Sequence, residues 1–480
     1  MIKMVPTSTT ADSLTNDTSE ELIIHIPDYI SEEEIIDIIA PQVEEPPQWA
    51  DECCIYRVPK RLREVNKDAY TPKLISIGPF HHGKEELRDM ETLKSRYFLE
   101  FCHRSKKTQK DIIRIIANNE QAILYCYDGG LEFTGEDFVK MVALDSIFII
   151  EHFIRATDPD GSPDEKKKKY YTRNKVSKPW LKGHITLDLI LLENQLPFFI
   201  LDKLYEEVFK DSNFEKKCSF FDLAWRYFRK YLFFQEKQKP PEGEVKHFTD
   251  LIRYIYYPSD SELKIGGAIS YVYSATKLYE TGVRFEEIKL GRFDKIKFKK
   301  REPLGECQCW ISWLLIFLPC LKCCPCLGPM HSLLYLPSFV ADNRTEELFR
   351  NIMALEQCHY PLEAYLCNYM VLLDHLINTS EDVELLVDKG IIVNALGSYQ
   401  EVANMVNRIA LEIVEENSCY GDVAEKLKKH YKNGCNRNIG YLKRTYFSNL
   451  WRGTAAVVGL IFFGFTLWDF VGSEIGSAFV

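Results

Sequence analysis

The sequence lacks the short motifs that mark the common enzyme families. It contains no G-x-x-x-x-G-K phosphate loop, no H-E-x-x-H zinc-protease pair, no G-x-S-x-G nucleophile elbow and no glycine-rich loop followed by kinase signatures. A repeat of fixed period is also missing, which argues against a solenoid. Any catalytic activity would have to come from side chains without a familiar spacing, and the sequence predicts no cofactor.

An excess of positive charge is missing as well. The 480 residues include 60 Lys and Arg against 70 Asp and Glu, a net charge of −10. Residues 1–52 hold 13 acidic residues against the single Lys3, a net charge of −12, so the rest of the chain sums to about +2. General nucleic-acid binding needs a basic surface, and we therefore expect no nucleic-acid partner.

Residues 1–52 are acidic, rich in Ser and Thr and poor in aromatic residues. Such a segment buries too little apolar surface to offset its ordering entropy, so the sequence predicts a disordered leader. Ser31 and Glu34 form a capping box ahead of an isoleucine-rich stretch, which predicts one short helix within it. The leader is either a solvated tail or carries a helix that docks on a partner. Residues 1–10 lack the apolar core of a secretory signal.

Large apolar side chains are abundant: hydrophobic residues make up 46% of the chain and aromatic residues 13%. This content excludes a wholly disordered protein. The apolar residues of 53–449 recur mostly at three- and four-residue steps, which predicts a large, mainly α-helical domain. Two exposed loops, at 157–175 and 235–246, interrupt it. The helices predicted in this way span residues 90–104, 108–127, 136–155, 185–209, 269–280, 346–358, 362–377, 381–389 and 400–414.

A small β element is predicted within the helical domain. Residues 283–285 and 293–298 flank the turn at Leu290-Gly291-Arg292 and have the alternation of a β-hairpin with one buried face. Residues 332–340 are a third strand candidate. The predicted fold is therefore mainly α with a small antiparallel hairpin or sheet.

The longest uncharged apolar stretch lies near the C-terminus. Residues 453–472 contain one charge, Asp469, and at about 1.5 Å per residue they would span a hydrocarbon core of about 30 Å. The sequence thus predicts a single transmembrane anchor at 453–472, with a short tail at 473–480. Lys443, Arg444 and Arg452 precede it, so the body would face the cytosol and lipid would be one partner, at the plasma membrane or an endomembrane. The alternative is a buried core helix.

Cysteine is plentiful but odd in number. The 15 cysteines, without a secretory signal, favour a reducing compartment. Six of them lie in an apolar insertion at 306–328. Their C-x-C and C-x-x-C spacing is compatible with zinc, but the intervening run 310–318 is more apolar than a zinc loop requires. An S-acylated or membrane-dipping loop, a zinc site and a plain buried insertion all remain open. The S-acylation candidates are Cys307, Cys309, Cys320, Cys323, Cys324 and Cys326.

Two polar groups stand out in apolar surroundings. The pair His81-His82 lies in a glycine- and proline-containing turn, where a structural, hydrogen-bonded histidine competes with a ligand role. Glu193-Asn194-Gln195 precedes Pro197, where a hydrogen-bond network at a helix end competes with a general base. An enzyme would bring these groups to one pocket and perturb their pKa values.

Several long motifs follow one another along the chain. They are CIYRVP at 54–59, AYTP at 69–72, ISIGPFHHG at 75–83, LDSIFIIE at 144–151, DLILLENQLPFF at 188–199 and TEELFRN at 345–351. On these motifs the chain resembles the plant "domain of unknown function 247" family, also called uncharacterised protein family 0481. The motif residues that the resemblance marks, expected to be structural, are Tyr56, Pro59, Pro79, His81, Glu91, Arg96, Glu193, Asn194, Gln195, Pro197, Glu356 and Gln357.

The resemblance implies a single-pass membrane protein of land plants without established catalysis. Members at the self-incompatibility loci of grasses are implicated in recognition, and others are linked to growth or defence. We therefore expect a membrane-anchored, non-catalytic interaction or signalling module whose partners are other proteins. The alternative is a membrane-proximal enzyme of an unrecognised class.

Overall fold

In this computed structural model the described residues are 52–131, 134–157, 179–209, 218–232, 243–256, 266–288, 293–300, 332–434 and 450–477, with 240, 436, 437, 441 and 445 between them. Most of them are helical, which confirms the mainly α-helical part of the predicted fold class. The helices are α1 (Lys60–Val65), α2 (Arg88–Ser105), α3 (Gln109–Ala117), α4 (Glu120–Tyr125), α5 (Glu136–Thr157), α6 (Pro179–Asp188), α7 (Phe198–Phe209), α8 (Phe220–Leu232), α9 (Phe248–Tyr256), α10 (Ala275–Glu280), α11 (Thr345–His359), α12 (Tyr365–Leu376), α13 (Ser380–Asp388), α14 (Tyr399–Ile409), α15 (Gly421–Lys432) and α16 (Leu450–Ser477).

Helix α5 is the centre of the N-terminal part of the core. Most of its side chains are buried, and it packs against α2, α3, α7 and α8. Acidic residues in its first turn and Arg155 in its last complement the helix dipole. Near its C-terminal end, the Phe153 ring lies 4.2 Å from the Tyr227 ring and 5.4 Å from the Phe248 ring. This aromatic cluster joins α5 to α8 and α9 through large buried apolar surfaces.

Two predicted helices are each broken into separate segments. The predicted helix 108–127 becomes α3 and α4, and Asn119 donates a side-chain hydrogen bond to the Ile115 carbonyl between them. The predicted helix 185–209 becomes α6 and α7, separated by residues 189–197. Pro197 lacks a backbone donor, and the side chain of Gln195 donates to carbonyls that a continuous helix would use. The apolar spacing continues across this break, which is why the sequence predicts one helix.

The predicted antiparallel hairpin is wrong. The strands are β1 (Gly266–Gly267), β2 (Val283–Ile288), β3 (Lys297–Lys299), β4 (Ser332–Pro337), β5 (Phe339–Ala341), β6 (Ile392–Asn394) and β7 (Asn417–Ser418). Strand β4 lies between β2, to which it is parallel, and β3, to which it is antiparallel. The hairpin fails because β2 and β3 pair with β4 and not with each other, and because residues 293–295 form a 3-10 turn. The described residues also form the pairs β1–β7 and β5–β6.

The predicted transmembrane anchor at 453–472 is not supported. Among the described residues, no helix combines the length and the apolar character needed to cross a membrane. The segment lies within α16, where Arg452 and Asp469 bound a charge-free run at 453–468. That run is shorter than the roughly 20 consecutive apolar residues that a span requires. This finding does not test the predicted lipid partner or the predicted membrane localisation, which stay predictions.

Several predicted segments lie outside the described residues. They are the leader up to residue 51, the cysteine-rich insertion at 306–328 with its six S-acylation candidates, and most of the loops at 157–175 and 235–246.

Two histidines are buried in the core as neutral side chains. His152 Nε2 lies 3.0 Å from the Tyr227 hydroxyl, and His247 Nε2 lies 3.0 Å from the Cys54 carbonyl oxygen. Burial lowers the pKa of each imidazole from 6.5 to about 3. The two imidazoles therefore become protonated at a higher pH in the unfolded chain than in the folded protein. The folded protein loses stability as the pH falls from 6.5 towards 3.

We expect His152→Phe to reduce the loss of stability under acid conditions. The buried imidazole costs about 2 kcal/mol of stability between pH 7 and pH 5, because 1.5 pKa units separate pH 5 from its unfolded value. Phenylalanine keeps the aromatic packing, and the Tyr227 hydroxyl keeps its 2.7 Å contact with Thr186 Oγ1. Urea unfolding of both proteins at pH 7 and pH 5 measures this difference. Equal losses of stability between pH 7 and pH 5 in the two proteins would contradict the assignment of His152 as a buried, neutral imidazole.

Candidate functional site

Two motif segments, residues 75–83 and 188–197, meet in the protein interior. The Asp188 carboxylate accepts hydrogen bonds from the backbone N–H groups of Lys73, Leu74 and Ile75 at 2.7–3.0 Å. Burial raises the pKa of Asp188 to about 6, although the three donors oppose the shift. This carboxylate therefore fixes the start of the first segment against the end of α6.

The amides of Asn194 and Gln195 hold the same two segments together. Asn194 Oδ1 accepts from Ile77 N at 2.7 Å, and its Nδ2 donates to the Ile75 and Asp188 carbonyls. Gln195 Nε2 donates to two backbone carbonyls of its own segment, and its Oε1 accepts from Phe248 N at 2.9 Å. Both side chains are fully buried, and their donors are all engaged by backbone groups.

Gly78 is the point of closest approach between the segments. Its φ of +73° is a left-handed conformation, and a Cβ at this position would lie 2.3 Å from the Gln195 carbonyl oxygen. Its N–H donates to Asp145 Oδ2 at 2.9 Å. Asp145 in turn contacts the buried Lys94 ammonium at 2.6 Å. Only glycine fits this position, and the approach sets where the following residues emerge.

Glu193 emerges from the second segment at the edge of the interior. Its carboxylate accepts from Val58 N at 2.7 Å and forms an ion pair with Arg63. His81 Nε2 lies 3.4 Å away, close enough for an electrostatic contact but outside a well-formed hydrogen bond. Burial opposes ionisation of Glu193, yet the contacts with His81, Arg63 and Val58 hold its pKa below the usual value. Glu193 is thus an ionised and well-partnered carboxylate.

Glu193 and the neighbours it contacts, Val58, Arg63 and His81, form the floor of a surface cleft of about 360 Å³. Its rim carries the exposed cations Arg57, Lys60 and Lys84, and the Arg57 guanidinium lies 4.3 Å above the Phe80 ring. Lys84 Nζ lies 2.7 Å from His81 Nδ1 and acts as the donor, so the imidazole hydrogen is on Nε2. Burial lowers the pKa of His81, so the ring is neutral. We call this feature the basic cleft; its lining residues are Arg57, Val58, Lys60, Arg63, Phe80, His81, Lys84 and Glu193.

The charge of the basic cleft determines what it can do chemically. Four cations face a single ionised carboxylate and a neutral imidazole, which leaves a net charge of +3. An anionic group is therefore favoured in the cleft. Proton abstraction is less favoured, because Glu193 has a lowered pKa and its oxygens are already engaged.

Sequence reasoning singled out His81 and Glu193 but missed the four cations. His81 and Glu193 come together in the basic cleft, whereas Asn194 and Gln195 lie in the interior behind it and His82 is exposed. The available signal for the cations was their position, because Arg57 lies within the CIYRVP motif and Lys84 directly follows the histidine turn. Surface lysines and arginines at these spacings do not otherwise differ from solvated charges.

The other motif residues near the N-terminal part lie away from the cleft floor. The Tyr56 hydroxyl is 2.8 Å from His359 Nδ1 and donates to the Cys53 carbonyl. Glu91 Oε1 accepts from Lys94 at 2.6 Å, and the exposed Arg96 pairs with Glu100 at 2.8 Å. The prolines occupy chain junctions: Pro59 directly precedes α1, Pro79 follows Gly78, and Pro197 directly precedes α7.

Glu356 and Gln357 anchor loops in the C-terminal half. The fully buried Glu356 carboxylate accepts from Leu366 N at 3.1 Å and from Cys367 N at 2.9 Å, at the start of α12. Gln357 Oε1 accepts from Val414 N at 3.3 Å. Burial raises the pKa of Glu356, although Arg253 at 3.6 Å and the two backbone donors oppose this. Glu356 therefore caps a helix in trans.

Metal binding finds no support in the part of the chain that the structure describes. There, no group of three or more His, Cys, Asp or Glu side chains is arranged to hold an ion. The cysteines of the same residues are free thiols. Burial raises the pKa of the Cys53 and Cys358 thiols to about 11, which makes them unreactive at neutral pH.

Comparisons with known proteins place the chain among plant relatives. A family profile described as a plant protein of unknown function, DUF247, matches residues 55–465. A UPF0481 protein of Arabidopsis thaliana is 27% identical over 426 residues, which cover 84% of this chain and 80% of that protein. A second UPF0481 protein of Arabidopsis thaliana is 25% identical over 481 residues, covering 85% and 87% respectively. No solved structure matches the chain.

Proposed function

This chain belongs to the plant protein family of unknown function DUF247, and from that premise we propose that it is a non-catalytic interaction module. Its contact element is the basic cleft, and the partner is a protein that presents an anionic group to it. The cleft gives the module its selectivity, while the buried amide and carboxylate contacts behind it keep the cleft in shape.

One observation carries the proposal. The acid and the histidine of the basic cleft, Glu193 and His81, are buried and held by neighbours in the protein. Arg57 and Lys60 are exposed on its rim, where Arg57 packs over the Phe80 ring and Lys60 lies 3.9 Å from the exposed Glu64 carboxylate. Arginine is enriched in protein interfaces, and charge complementarity steers association and selects partners. A rigid floor with exposed cations fits recognition of an anionic group better than proton transfer.

An enzyme of an unrecognised class is the second candidate. The shared position of His81 and Glu193 in one cleft, with shifted pKa values, favours it. Against it, a general base needs a pKa near the working pH and a free oxygen, and Glu193 offers neither. We therefore prefer the interaction module.

The double variant Arg57→Glu/Lys60→Glu tests the proposal. In proximity labelling from the full chain in plant tissue, we expect the labelling of the main wild-type partners to fall at least tenfold in this variant. The reason is that four units of charge change on the cleft rim. Both residues are exposed, so the thermal unfolding midpoint is expected to stay within about 2 °C.

Lys426→Glu/Lys429→Glu is the matched control for this experiment. These exposed residues of α15 undergo the same change of charge and do not line the cleft. The control is expected to retain the wild-type partners. Identical labelling by the wild type and the cleft variant would refute the proposed role of the cleft.

A further inference from the structure

We infer that the anionic group received by the basic cleft is a phosphate monoester carried on a side chain of the partner protein. The inference rests on the proposed function and names the chemistry of its ligand. Three features of the cleft, its charge, its donors and its size, point to this group.

The charge favours a dianion over a carboxylate. Among the residues that line the cleft, four cations (Arg57, Lys60, Arg63 and Lys84) outnumber the single carboxylate of Glu193, which gives the lining a net charge of +3. The Glu64 carboxylate, 3.9 Å from Lys60, is exposed and lies outside the lining, so it screens only part of this charge. A carboxylate supplies one negative charge, while a phosphate monoester supplies between 1.5 and 2 at about pH 7. The monoester therefore leaves the smaller unbalanced charge in the cleft.

The donors of the rim suit a group with three terminal oxygens. Arg57 presents a planar guanidinium supported by the Phe80 ring, Lys84 is positioned by His81, and Lys60 lies on the first turn of α1. Phosphate accepts from three such donors at once, and the arginine fork binds two of its oxygens. Arg63 is committed to Glu193 and so supports the rim from behind.

The size of the cleft indicates that the phosphate is attached to something. A volume of about 360 Å³ is at the lower end of ligand pockets and exceeds what a single tetrahedral ion fills. Val58 and Phe80 contribute apolar surface to the same cleft. These walls can contact the carbon atoms of a phosphorylated side chain, which free phosphate does not possess.

Calorimetric titration of the full chain with phenyl phosphate, phosphoserine, phenyl sulfate and inorganic phosphate tests the inference. We expect both monoesters to bind, and phenyl sulfate, which has the same shape but one negative charge, to bind at least fivefold more weakly. Inorganic phosphate is expected to bind more weakly than either ester, because it lacks contacts with the apolar walls. Equal affinity for phenyl sulfate, or for inorganic phosphate, would overturn the inference.

The variants locate the binding. Arg57→Gln/Lys60→Gln is expected to weaken phenyl phosphate at least tenfold, because two charge-assisted hydrogen bonds are lost. The control Lys426→Gln/Lys429→Gln is expected to stay within twofold of the wild type, and equal affinity in both variants would overturn the site. If the wild type binds no ester but Arg57→Glu/Lys60→Glu loses the labelled partners, the phosphate ligand is refuted and the interaction module stands. If the wild type binds the esters but Arg57→Glu/Lys60→Glu keeps its partners, the interaction module is refuted.

Discussion

Replacing Lys94 with methionine is expected to destabilise the protein by about 3–5 kcal/mol, because it leaves a buried carboxyl without its cation. Lys94 Nζ lies 2.6 Å from Asp145 Oδ1, 2.6 Å from Glu91 Oε1 and 2.5 Å from the Ser76 carbonyl oxygen. The Lys94 side chain is completely buried and Asp145 nearly so. Methionine preserves much of the packing volume, so the lost stability reports chiefly on the charge. Urea unfolding at pH 7 measures it.

A second substitution separates the charge from the packing. The double variant Lys94→Met/Asp145→Asn is expected to recover about 1–3 kcal/mol relative to Lys94→Met, because Asn removes the unpaired charge and keeps an oxygen for the Gly78 N–H. Burial already raises the pKa of Asp145 against the effect of Lys94. Without the lysine this raised pKa climbs further, so the deficit of Lys94→Met is smaller at pH 5 than at pH 8.

Glu91→Gln is the control for this pair. Glu91 contacts the same ammonium but its side chain is 33% exposed, so its loss is expected to cost less than about 1 kcal/mol. A cost for Glu91→Gln equal to that of Lys94→Met would mean that Asp145 is not the decisive partner. The same would follow if the cost of Lys94→Met/Asp145→Asn equalled the sum of the costs of Lys94→Met and Asp145→Asn measured separately.

Local periodicity explains how much of the fold the sequence predicts. Helices α2, α5 and α11 follow the predicted segments closely, because each keeps a three- and four-residue apolar spacing along its whole length. Strand pairing depends on residues that are distant in the sequence. Strand β4 separates β2 from β3, and nothing near the predicted turn at 290–292 signals that insertion.

The residues of the candidate site also differ in whether a local sequence pattern marks them. His81 and Glu193 could be singled out because a polar residue in an apolar run is unusual at the level of sequence. The cations of the rim could be found only through their position in or beside the motifs, since exposed lysine and arginine are otherwise ordinary on any surface. Their convergence follows from Asp188 and Asn194, whose bonds to residues 73–77 bring two segments more than 100 positions apart into contact. No local pattern encodes that contact.

Gly78→Ala is expected to destabilise the protein by about 2–5 kcal/mol, because two costs add at this position. A left-handed conformation costs an L-residue about 1–2 kcal/mol, and overpacking an interior costs about 1–3 kcal/mol. The new Cβ would lie 2.3 Å from a backbone carbonyl oxygen, that of Gln195, which cannot rotate away. The two segments behind the basic cleft must therefore separate. Urea unfolding gives the change in the free energy of unfolding.

Gly83→Ala isolates the conformational cost. Gly83 has a similar φ of +78°, but a Cβ there would meet no atom within 4 Å. It is expected to cost only about 1–2 kcal/mol. The difference between the two losses in the free energy of unfolding measures the effect of the close contact between residue 78 and the Gln195 carbonyl. We also expect Gly78→Ala, but not Gly83→Ala, to weaken the affinity for phenyl phosphate. Equal costs for the two substitutions would show that the close approach of these segments does not hold the site together.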